Sequence, residues 1–187
     1  MALPATIYRT SIELSHIDRN LYENLQTTVA QHPSETAERL LSRVLAYAIC
    51  YEPDLAFTKG VAAGDEPDLW VKGPDGRVKL WIEVGLPDPT RLIKATRHSQ
   101  QVILVACGSG LARWQEQHLA KLRTIPNLTV IGLDQGFLNL LAARLERSIT
   151  WSITITEGSL YLNVGGETLE TGLSLLAGTF RTTELIG

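Results

Sequence analysis

Two acidic residues stand on neighbouring strands of a predicted β-hairpin. Asp68 begins one strand, Glu83 lies near the end of the next, and the Gly73-Pro74-Asp75-Gly76 segment between them is typical of a turn. Two ionised carboxylates held close together repel, and a hard divalent cation such as Mg²⁺ relieves that repulsion because it prefers oxygen ligands. The backbone carbonyl of Val84 could complete such a site. The alternative is that Asp68 lies at a strand end and Glu83 on a solvent-facing surface, and that the two do not bind a common ligand.

The spacing of aliphatic residues predicts which way these carboxylates point. Alternate positions of both strands are aliphatic, namely Leu69, Val71, Leu80, Ile82 and Val84. If these side chains face one core, Glu66 lies opposite Glu83. Lys72 then lies opposite Arg77, and Asp68 is diagonal to Glu83, within reach of a shared cation. A bulge in the turn would instead shift the pairing by one residue and separate the carboxylates, unless a second bulge restored it.

A first helix is predicted to begin at Pro33-Ser34 and to end near Glu52-Pro53. Its apolar residues recur at spacings of three and four, which predicts one face against a core. Glu38 lies on or beside that face, where a carboxylate must be paired, neutralised or directed into a polar cavity. Glu35 is explained as an acid in the first turn that complements the helix dipole.

A second helix is predicted from Asp88-Pro89, its cap and first position, to about Ser99. Arg91, Lys94 and His98 share one face of this helix because they are three and four residues apart. Beside a metal site that face would bind phosphate. The alternative is an ordinary solvated face.

The remaining patterns predict a mixed α/β protein with an additional strand-rich layer. Residues 5–14 indicate a strand, and the polar stretch 18–31 has a helical pattern. The other predicted elements are strands at 55–58, 68–72, 78–85, 102–107 and 128–133, helices at 111–122 and 136–145, and a β-meander at 149–156, 160–164 and 168–175. We expect a single domain over residues 1–187, with a core at about 33–147 and a β-layer that pairs 5–14 with 148–176.

The composition favours a folded protein, because 44% of the 187 residues are hydrophobic and 20% are charged. The net charge of −3 excludes a bulk polycation, so any contact with nucleic acid must use a local basic patch. The longest apolar run, residues 44–51, is much shorter than the roughly twenty residues of a membrane span. We therefore expect no membrane partner. Cys50 and Cys107 lie in apolar stretches, so we expect buried thiols and a cytoplasmic location.

Several short segments occur together in a specific combination: Ala5-Thr6-Ile7-Tyr8, His32-Pro33-Ser34-Glu35-Thr36, Asp65-Glu66-Pro67, Leu80-Trp81-Ile82-Glu83, Gly85-Leu86-Pro87-Asp88 and Ile93-Lys94-Ala95. In this combination the chain resembles the bacterial YaeQ family. Its element order resembles the PD-(D/E)xK nuclease superfamily. The resemblance implies a restriction-endonuclease-like core, α-βββ-α-β, with Pro-Asp on the second core strand and Glu-x-Lys on the third.

The resemblance also implies a set of site residues. Asp68, Glu83 and the Val84 carbonyl would hold Mg²⁺ or Mn²⁺, and a glutamate of the first core helix would lie beside them. Glu35 and Glu38 both match the family pattern, and Glu38 is the preferred candidate.

The lysine expected two residues after Glu83 is replaced by Gly85. In the superfamily that lysine orients or activates water and stabilises charge on phosphate. We expect Lys94 to substitute for it, because its side chain could fold back over the hairpin from the second helix. Lys79 shares the parity of Glu83, but it lies four residues away, roughly 13 Å along a strand.

Two functions remain open at this point. The first is a metal-dependent nuclease that acts on nucleic acid phosphodiesters through a variant site with a relocated lysine. The second is a catalytically inactive binding module that keeps the nuclease fold and contacts nucleic acid or a protein partner. Gly85 favours the binding module, whereas the two carboxylates and Lys94 favour the enzyme.

Overall fold

Two mixed β-sheets and four α-helices make up the part of the chain that the computed structural model describes, residues 3–59 and 64–180. The elements in chain order are β1 (Thr6–His16), β2 (Leu21–Gln31), α1 (Ala37–Ile49), β3 (Ala56–Phe57), β4 (Leu69–Lys72), β5 (Val78–Val84), α2 (Pro89–His98), β6 (Ser99–Ala106), α3 (Leu111–Leu122), β7 (Leu128–Gly132), α4 (Gln135–Ala142), β8 (Ser148–Thr156), β9 (Ser159–Val164), β10 (Glu167–Gly172) and β11 (Ser174–Ala177). A short 3-10 turn, Ile17–Arg19, joins β1 to β2.

The six-stranded sheet has the order β11-β7-β6-β5-β4-β3, and β5, β6 and β7 are parallel. The last five residues of β6, 102–106, are all buried, since helices cover both faces of the sheet. On one face, Ile103 and Val105 pack in a cluster with α1 and α4. On the other, Val102 and Leu104 pack with α2 and α3. The mixed α/β fold expected from the sequence is therefore confirmed.

The five-stranded sheet has the order β10-β9-β8-β1-β2. Strand β1 runs parallel to β8, from the pair Arg9 and Ser148 to the pair His16 and Ile155. The expected pairing of the first strand with the C-terminal meander is confirmed. This pairing brings the first strand of the chain into one layer with β8, β9 and β10.

The helical pattern expected for residues 18–31 was wrong, because the segment forms the antiparallel edge strand β2. Only Leu25 and Val29 of this strand are buried. They are four residues apart, so their spacing also fits one helical face. Asn20 has a φ of 49° and closes the turn that sends the chain back along β1.

The last strand of the expected meander, residues 168–175, is divided between the two sheets. Strand β10 ends at Gly172, and β11 pairs with β7 in the six-stranded sheet. Leu173 lies between them, is buried, and donates a backbone hydrogen bond to Gly158 at 2.7 Å. Its burial marks the point at which the chain crosses from one sheet to the other.

A single hydrophobic cluster joins the two sheets. It includes Leu14 and Ile153 of the five-stranded sheet, Leu45 of α1, and Ile82 of the six-stranded sheet. The cluster supports the expectation of a single domain, which stays a prediction until unfolding is measured. Within the described ranges 3–59 and 64–180, no helix is long and apolar enough to cross a membrane.

We expect Ile153→Ala to destabilise both sheets together. The Ile153 side chain is fully buried, and truncating such a residue costs about 2–5 kcal/mol. Urea unfolding followed by far-ultraviolet circular dichroism and by tryptophan fluorescence should give coincident transitions. Ser152→Ala, at the exposed neighbouring position, is the matched control and should leave the midpoint nearly unchanged. Separate transitions for the two probes would contradict a single domain.

Candidate functional site

A cleft of about 830 Å³ opens at the carboxyl ends of the parallel strands β5 and β6. This end of a parallel sheet is where open α/β folds bind ligands. The cleft is lined by the first turns of α1, the start of β4, the end of β5, one residue of α2, the β6–α3 turn and the start of α4. Its charged lining residues are Glu38, Arg39, Glu66, Asp68, Glu83 and Arg91.

The hairpin register places Asp68 directly beside Glu83. Leu69 pairs with Ile82, and the backbone N–H of Asp68 donates to the Ile82 carbonyl at 3.0 Å. The expected pairs of Glu66 with Glu83 and of Lys72 with Arg77 were wrong. Lys72 pairs with Val78, one residue from the expected partner, and the bulge between Val71 and Lys72 adds one more residue, so that the pairing beyond Val71 is displaced by two residues. A two-residue shift keeps the parity of the strands. The aliphatic side chains therefore remain in the cluster that contains α1.

Asp68 is almost completely buried and both of its carboxylate oxygens are engaged. Oδ1 accepts a hydrogen bond from Nη2 of Arg39 at 2.8 Å and lies 3.6 Å from Nε of Arg43. Oδ2 accepts a hydrogen bond from the backbone N–H of Val84 at 2.8 Å. These contacts attach the start of β4 to α1 and to the end of β5.

Glu35 completes a ring of four charges with Asp68 and the two arginines. It precedes Thr36, the N-cap of α1, and its side chain is fully buried. Its carboxylate accepts from Nη1 of Arg39 at 2.8 Å and from Nη1 of Arg43 at 3.1 Å. Glu35 does not line the cleft, and its carboxylate accepts from the two arginines and from the backbone N–H of His32.

Glu83 is paired with Arg91 of α2, which packs on the face of the six-stranded sheet opposite to α1. Its Oε1 accepts from Nε of Arg91 at 2.7 Å and from Nε1 of Trp81 at 2.9 Å. Burial raises the pKa of the Glu83 carboxyl above its ordinary value; Arg91 opposes this shift and the charge of Asp68 adds to it. Arg91 also donates hydrogen bonds to the carbonyls of Gly64 and Glu66, so it ties α2 to the segment that leads into β4.

Glu38 lines the cleft from the first turn of α1 and is half-buried. Among residues 3–59 and 64–180, no hydrogen bond or ion pair engages its carboxylate. The expectation that this acid faces a polar cavity agrees with its position in the cleft. Its proposed catalytic role stays a prediction.

Lys94 is exposed on α2 and is not among the residues that line the cleft. The α2 residue that reaches Glu83 is Arg91, one helical turn earlier. The structure therefore brings Asp68, Glu83, Val84 and Glu38 to one cleft, and leaves Lys94 and Glu35 outside its lining.

Gly85, two residues after Glu83, has a φ of 112°. L-residues with a side chain are strained in this region of φ, whereas glycine is not. The N–H of Gly85 donates to the Val105 carbonyl at 3.0 Å, which holds the turned backbone against β6. A lysine at this position would be strained by the backbone itself.

Sequence reasoning missed Arg39 and Arg43, the two arginines that neutralise Asp68 and Glu35. Their signal was present, since Glu35, Arg39 and Arg43 are spaced by four along the start of α1. Cys107, at the end of β6, also lines the cleft, and burial raises the pKa of its thiol. In the part of the chain that the structure describes, no group of three or more His, Cys, Asp or Glu side chains is placed to hold a metal ion.

Comparison with known proteins identifies the family. The model of the YaeQ protein family matches residues 1–173. The chain belongs to the YaeQ family. It is 39% identical to the YaeQ protein of Salmonella typhi and 37% identical to that of Escherichia coli (strain K12), in each case over 93% of this chain and 97% of the relative.

Two crystal structures of YaeQ proteins share the fold. The protein from Xanthomonas axonopodis pv. citri superimposes with a TM-score of 0.90 and 32% identity, covering 94% of this chain and 99% of that one. The protein from Pseudomonas syringae gives a TM-score of 0.90 and 37% identity, covering 96% and 100% respectively. The arrangement of two mixed sheets and four helices is thus the fold of YaeQ proteins.

We expect Glu35→Gln to destabilise the protein by about 3–5 kcal/mol, because it leaves the buried Arg43 guanidinium without its closest carboxylate. The double variant Glu35→Gln/Arg43→Met should lose less than the sum of the two single variants. Chemical denaturation measures these differences. Glu167→Gln breaks the exposed pair with Arg144 and is the matched control, with little change expected. Additive single and double variants would show that the buried ring does not couple these residues.

We expect the raised pKa of Glu83 to appear in the pH dependence of stability. A folded state with a raised carboxyl pKa binds its proton more tightly than the unfolded chain does. The free energy of unfolding of the wild type, measured relative to Glu83→Gln, should therefore fall as the pH rises from the ordinary glutamate pKa through the raised one. The same difference measured for Asp75→Asn, in the exposed hairpin turn, should vary much less with pH. A difference that rises with pH in this window would contradict the raised pKa.

Proposed function

We propose that this protein is a metal-dependent, nuclease-like phosphodiesterase with a variant PD-(D/E)xK site in the cleft. The order α1-β3-β4-β5-α2-β6 supports a restriction-endonuclease-like core, because it repeats the α-βββ-α-β pattern of that superfamily. The observation that carries the proposal is the position of Asp68 beside Glu83, both opening on one cleft at the carboxyl end of parallel strands.

The charges of the cleft suit a divalent cation. Four acids line it, Glu38, Glu66, Asp68 and Glu83, together with Arg39 and Arg91, which leaves two uncompensated negative charges. Mg²⁺ in phosphoryl-transfer sites is commonly held by one or two protein carboxylates, with water and substrate phosphate filling its other positions. The donor set therefore fits such an ion, although Asp68 would have to share its Oδ1 with Arg39.

Asp68, Glu83 and the Val84 carbonyl would hold Mg²⁺ or Mn²⁺ in this cleft. When bound, the cation supplies Lewis-acid polarisation of a phosphoryl oxygen and a lowered pKa of coordinated water. Among the described residues, Glu38 and Glu66 are the cleft carboxylates without a protein donor, and of these two we assign the acceptance of a proton to Glu38.

Two arginines would bind the substrate phosphate. Arg39 and Arg91 line the cleft with side chains that are 31% and 34% exposed. A guanidinium binds phosphate oxygens through paired hydrogen bonds, and it stays protonated at neutral pH. Arg91 would thus supply the positive charge expected from a relocated lysine, but it would not activate water.

A second candidate is a binding module without turnover. Among the described residues no lysine lines the cleft, and both Asp68 and Glu83 already carry arginine counter-ions. Such a site would bind nucleic acid, or a protein partner with phosphate or carboxylate groups, through Arg39 and Arg91.

We expect Mn²⁺ to bind with 1:1 stoichiometry in isothermal titration calorimetry, and more tightly when a short oligonucleotide is present. Asp68→Asn and Glu83→Gln should each weaken this binding at least tenfold, whereas the exposed Asp75→Asn should not change it. Cleavage of single- and double-stranded DNA and RNA oligonucleotides would be measured with Mg²⁺ and with Mn²⁺. Arg91→Ala should reduce cleavage at least tenfold, and Lys94→Ala should leave it within about twofold.

The outcomes separate the candidates. Mn²⁺ binding that depends on Asp68 and Glu83, without cleavage of any oligonucleotide, would favour the binding module. Loss of cleavage in Lys94→Ala but not in Arg91→Ala would support the hypothesis that Lys94 substitutes for the missing lysine. Absence of Mn²⁺ binding in both the presence and the absence of oligonucleotide would overturn the metal site.

A further inference from the structure

A second cavity lies at the opposite end of α1 from the cleft. It has a volume of about 350 Å³ and is enclosed by the ends of β1, α1 and β8 together with β6 and β7. Arg39 and Cys50, at the two ends of the helix, are separated by about 16 Å at the rise of an α-helix. The cavity shares no lining residue with the cleft. A ligand in it would therefore not touch the cleft.

The walls of the cavity are mainly aliphatic. Four isoleucines from four different elements line it, Ile49, Ile103, Ile131 and Ile155, and Leu173 and Phe180 add further apolar surface. Three of the four isoleucines are at most 3% exposed and Ile49 is 5% exposed, so these walls are parts of the packed core. Sites of this size with apolar walls and few polar groups are typical of small-molecule binding.

Two buried polar side chains, His16 and Thr129, lie in this apolar wall, and the Thr129 hydroxyl donates to the Thr179 carbonyl. His16, the last residue of β1, is 7% exposed, and its Nδ1 has no hydrogen-bond partner among the residues that the structure describes. Burial lowers the pKa of His16 to about 4, with Arg19 lowering it further and Asp18 opposing the shift. The imidazole is therefore neutral at pH 7. Buried polar atoms are rarely left without a partner, so this nitrogen indicates a missing one.

The charged residues stand together at one side of the cavity. Both carboxylate oxygens of Asp18 accept from the single backbone N–H of Glu157, at 2.9 and 3.0 Å. This shared hydrogen bond links the β8–β9 turn to the turn after β1. Asp18, Arg19 and Glu157 are the charged residues of the lining. Because these charges are gathered at the turns, the interior favours a ligand that is neutral.

We infer that this cavity is a binding site for a small, neutral aromatic alcohol whose hydroxyl group hydrogen-bonds to the imidazole of His16. A hydroxyl both donates and accepts, so it satisfies Nδ1 in either tautomer. The aromatic body replaces water against the isoleucine side chains, and the burial of that apolar surface supplies the main part of the affinity. This inference does not depend on the function proposed for the cleft.

The test uses 2-naphthol and naphthalene as probes of the full-length protein labelled at isoleucine methyl groups. We expect 2-naphthol to shift the methyl resonances of the four cavity isoleucines and to leave exposed Ile7 and Ile93 of α2 unchanged. It should bind about three- to tenfold more tightly than naphthalene, the range expected for one net hydrogen bond. His16→Phe should abolish this preference, whereas His98→Phe, at an exposed position of α2, should preserve it.

A cavity-filling variant, Ile155→Phe, provides a second line of evidence. It should weaken both probes at least tenfold, while circular dichroism verifies that the fold is retained. Binding that shifts other isoleucines equally, a naphthol preference that survives His16→Phe, or the absence of any shift would each overturn the inference. If no resonance shifts, the hydrogen-bond partner of the His16 Nδ1 is an enclosed water molecule rather than a ligand.

Discussion

The ring of Glu35, Arg39, Asp68 and Arg43 holds the site together. Three of its four side chains are at most 3% exposed, so each charge must be compensated within the ring. Asp68 also accepts from the Val84 N–H, which fixes the end of β5 relative to α1. The positions of the cleft carboxylates thus follow from the neutralisation of buried charge. The ring is a constraint on geometry, and the loss of one member leaves its neighbours uncompensated.

The two cleft acids draw their counter-ions from opposite layers of the molecule. Asp68 is paired with arginines of α1, whereas Glu83 is paired with Arg91 of α2. These helices pack on opposite faces of the six-stranded sheet. A cation in the cleft would compete with Arg39 for Asp68, and a phosphate would compete with Asp68 for Arg39. Each ligand would thus release the group that the other requires, so their binding is expected to be mutually favourable.

Local patterns predicted the helices well and the pairing of strands less well. Asp88 is the N-cap of α2 as expected, since its side chain accepts from the Thr90 N–H at 2.8 Å. The alternation of aliphatic and polar residues also predicted that Asp68 and Glu83 would lie close together. A register shift of two residues leaves each side chain on the same face of the sheet, so this prediction did not depend on the exact register. The shift combines a one-residue displacement at Lys72 with a one-residue bulge after Val71, and the turn residues specified neither. Edge strand β2 was wrongly predicted as helical because the spacing of four between Leu25 and Val29 fits the two-residue period of a strand and the 3.6-residue period of a helix.

The charged contacts of the site were the least accessible to sequence reasoning. The spacing of four between Glu35, Arg39 and Arg43 is compatible with contact at the start of α1, but it does not show that Asp68 joins them from the segment before β4. Arg91, Lys94 and His98 were expected to share one face of α2, but their spacing did not show that Arg91 would pair with Glu83. The choice depends on how α2 leaves β5, which is set by the three residues between Gly85 and the helix.

Gly85 explains why the positive charge of the site comes from a helix. A non-glycine residue with positive φ costs roughly 1–2 kcal/mol, and the hydrogen bond from Gly85 to Val105 prevents the backbone from relaxing. The chain turns at this residue and α2 begins at Pro89, which places Arg91 in the first turn, close enough for its guanidinium to reach Glu83. Lys94, almost a full turn further along, is carried away from the cleft. The backbone conformation at Gly85 thus disfavours a residue with a side chain directly after β5, and the path from there into α2 brings Arg91, rather than Lys94, to Glu83.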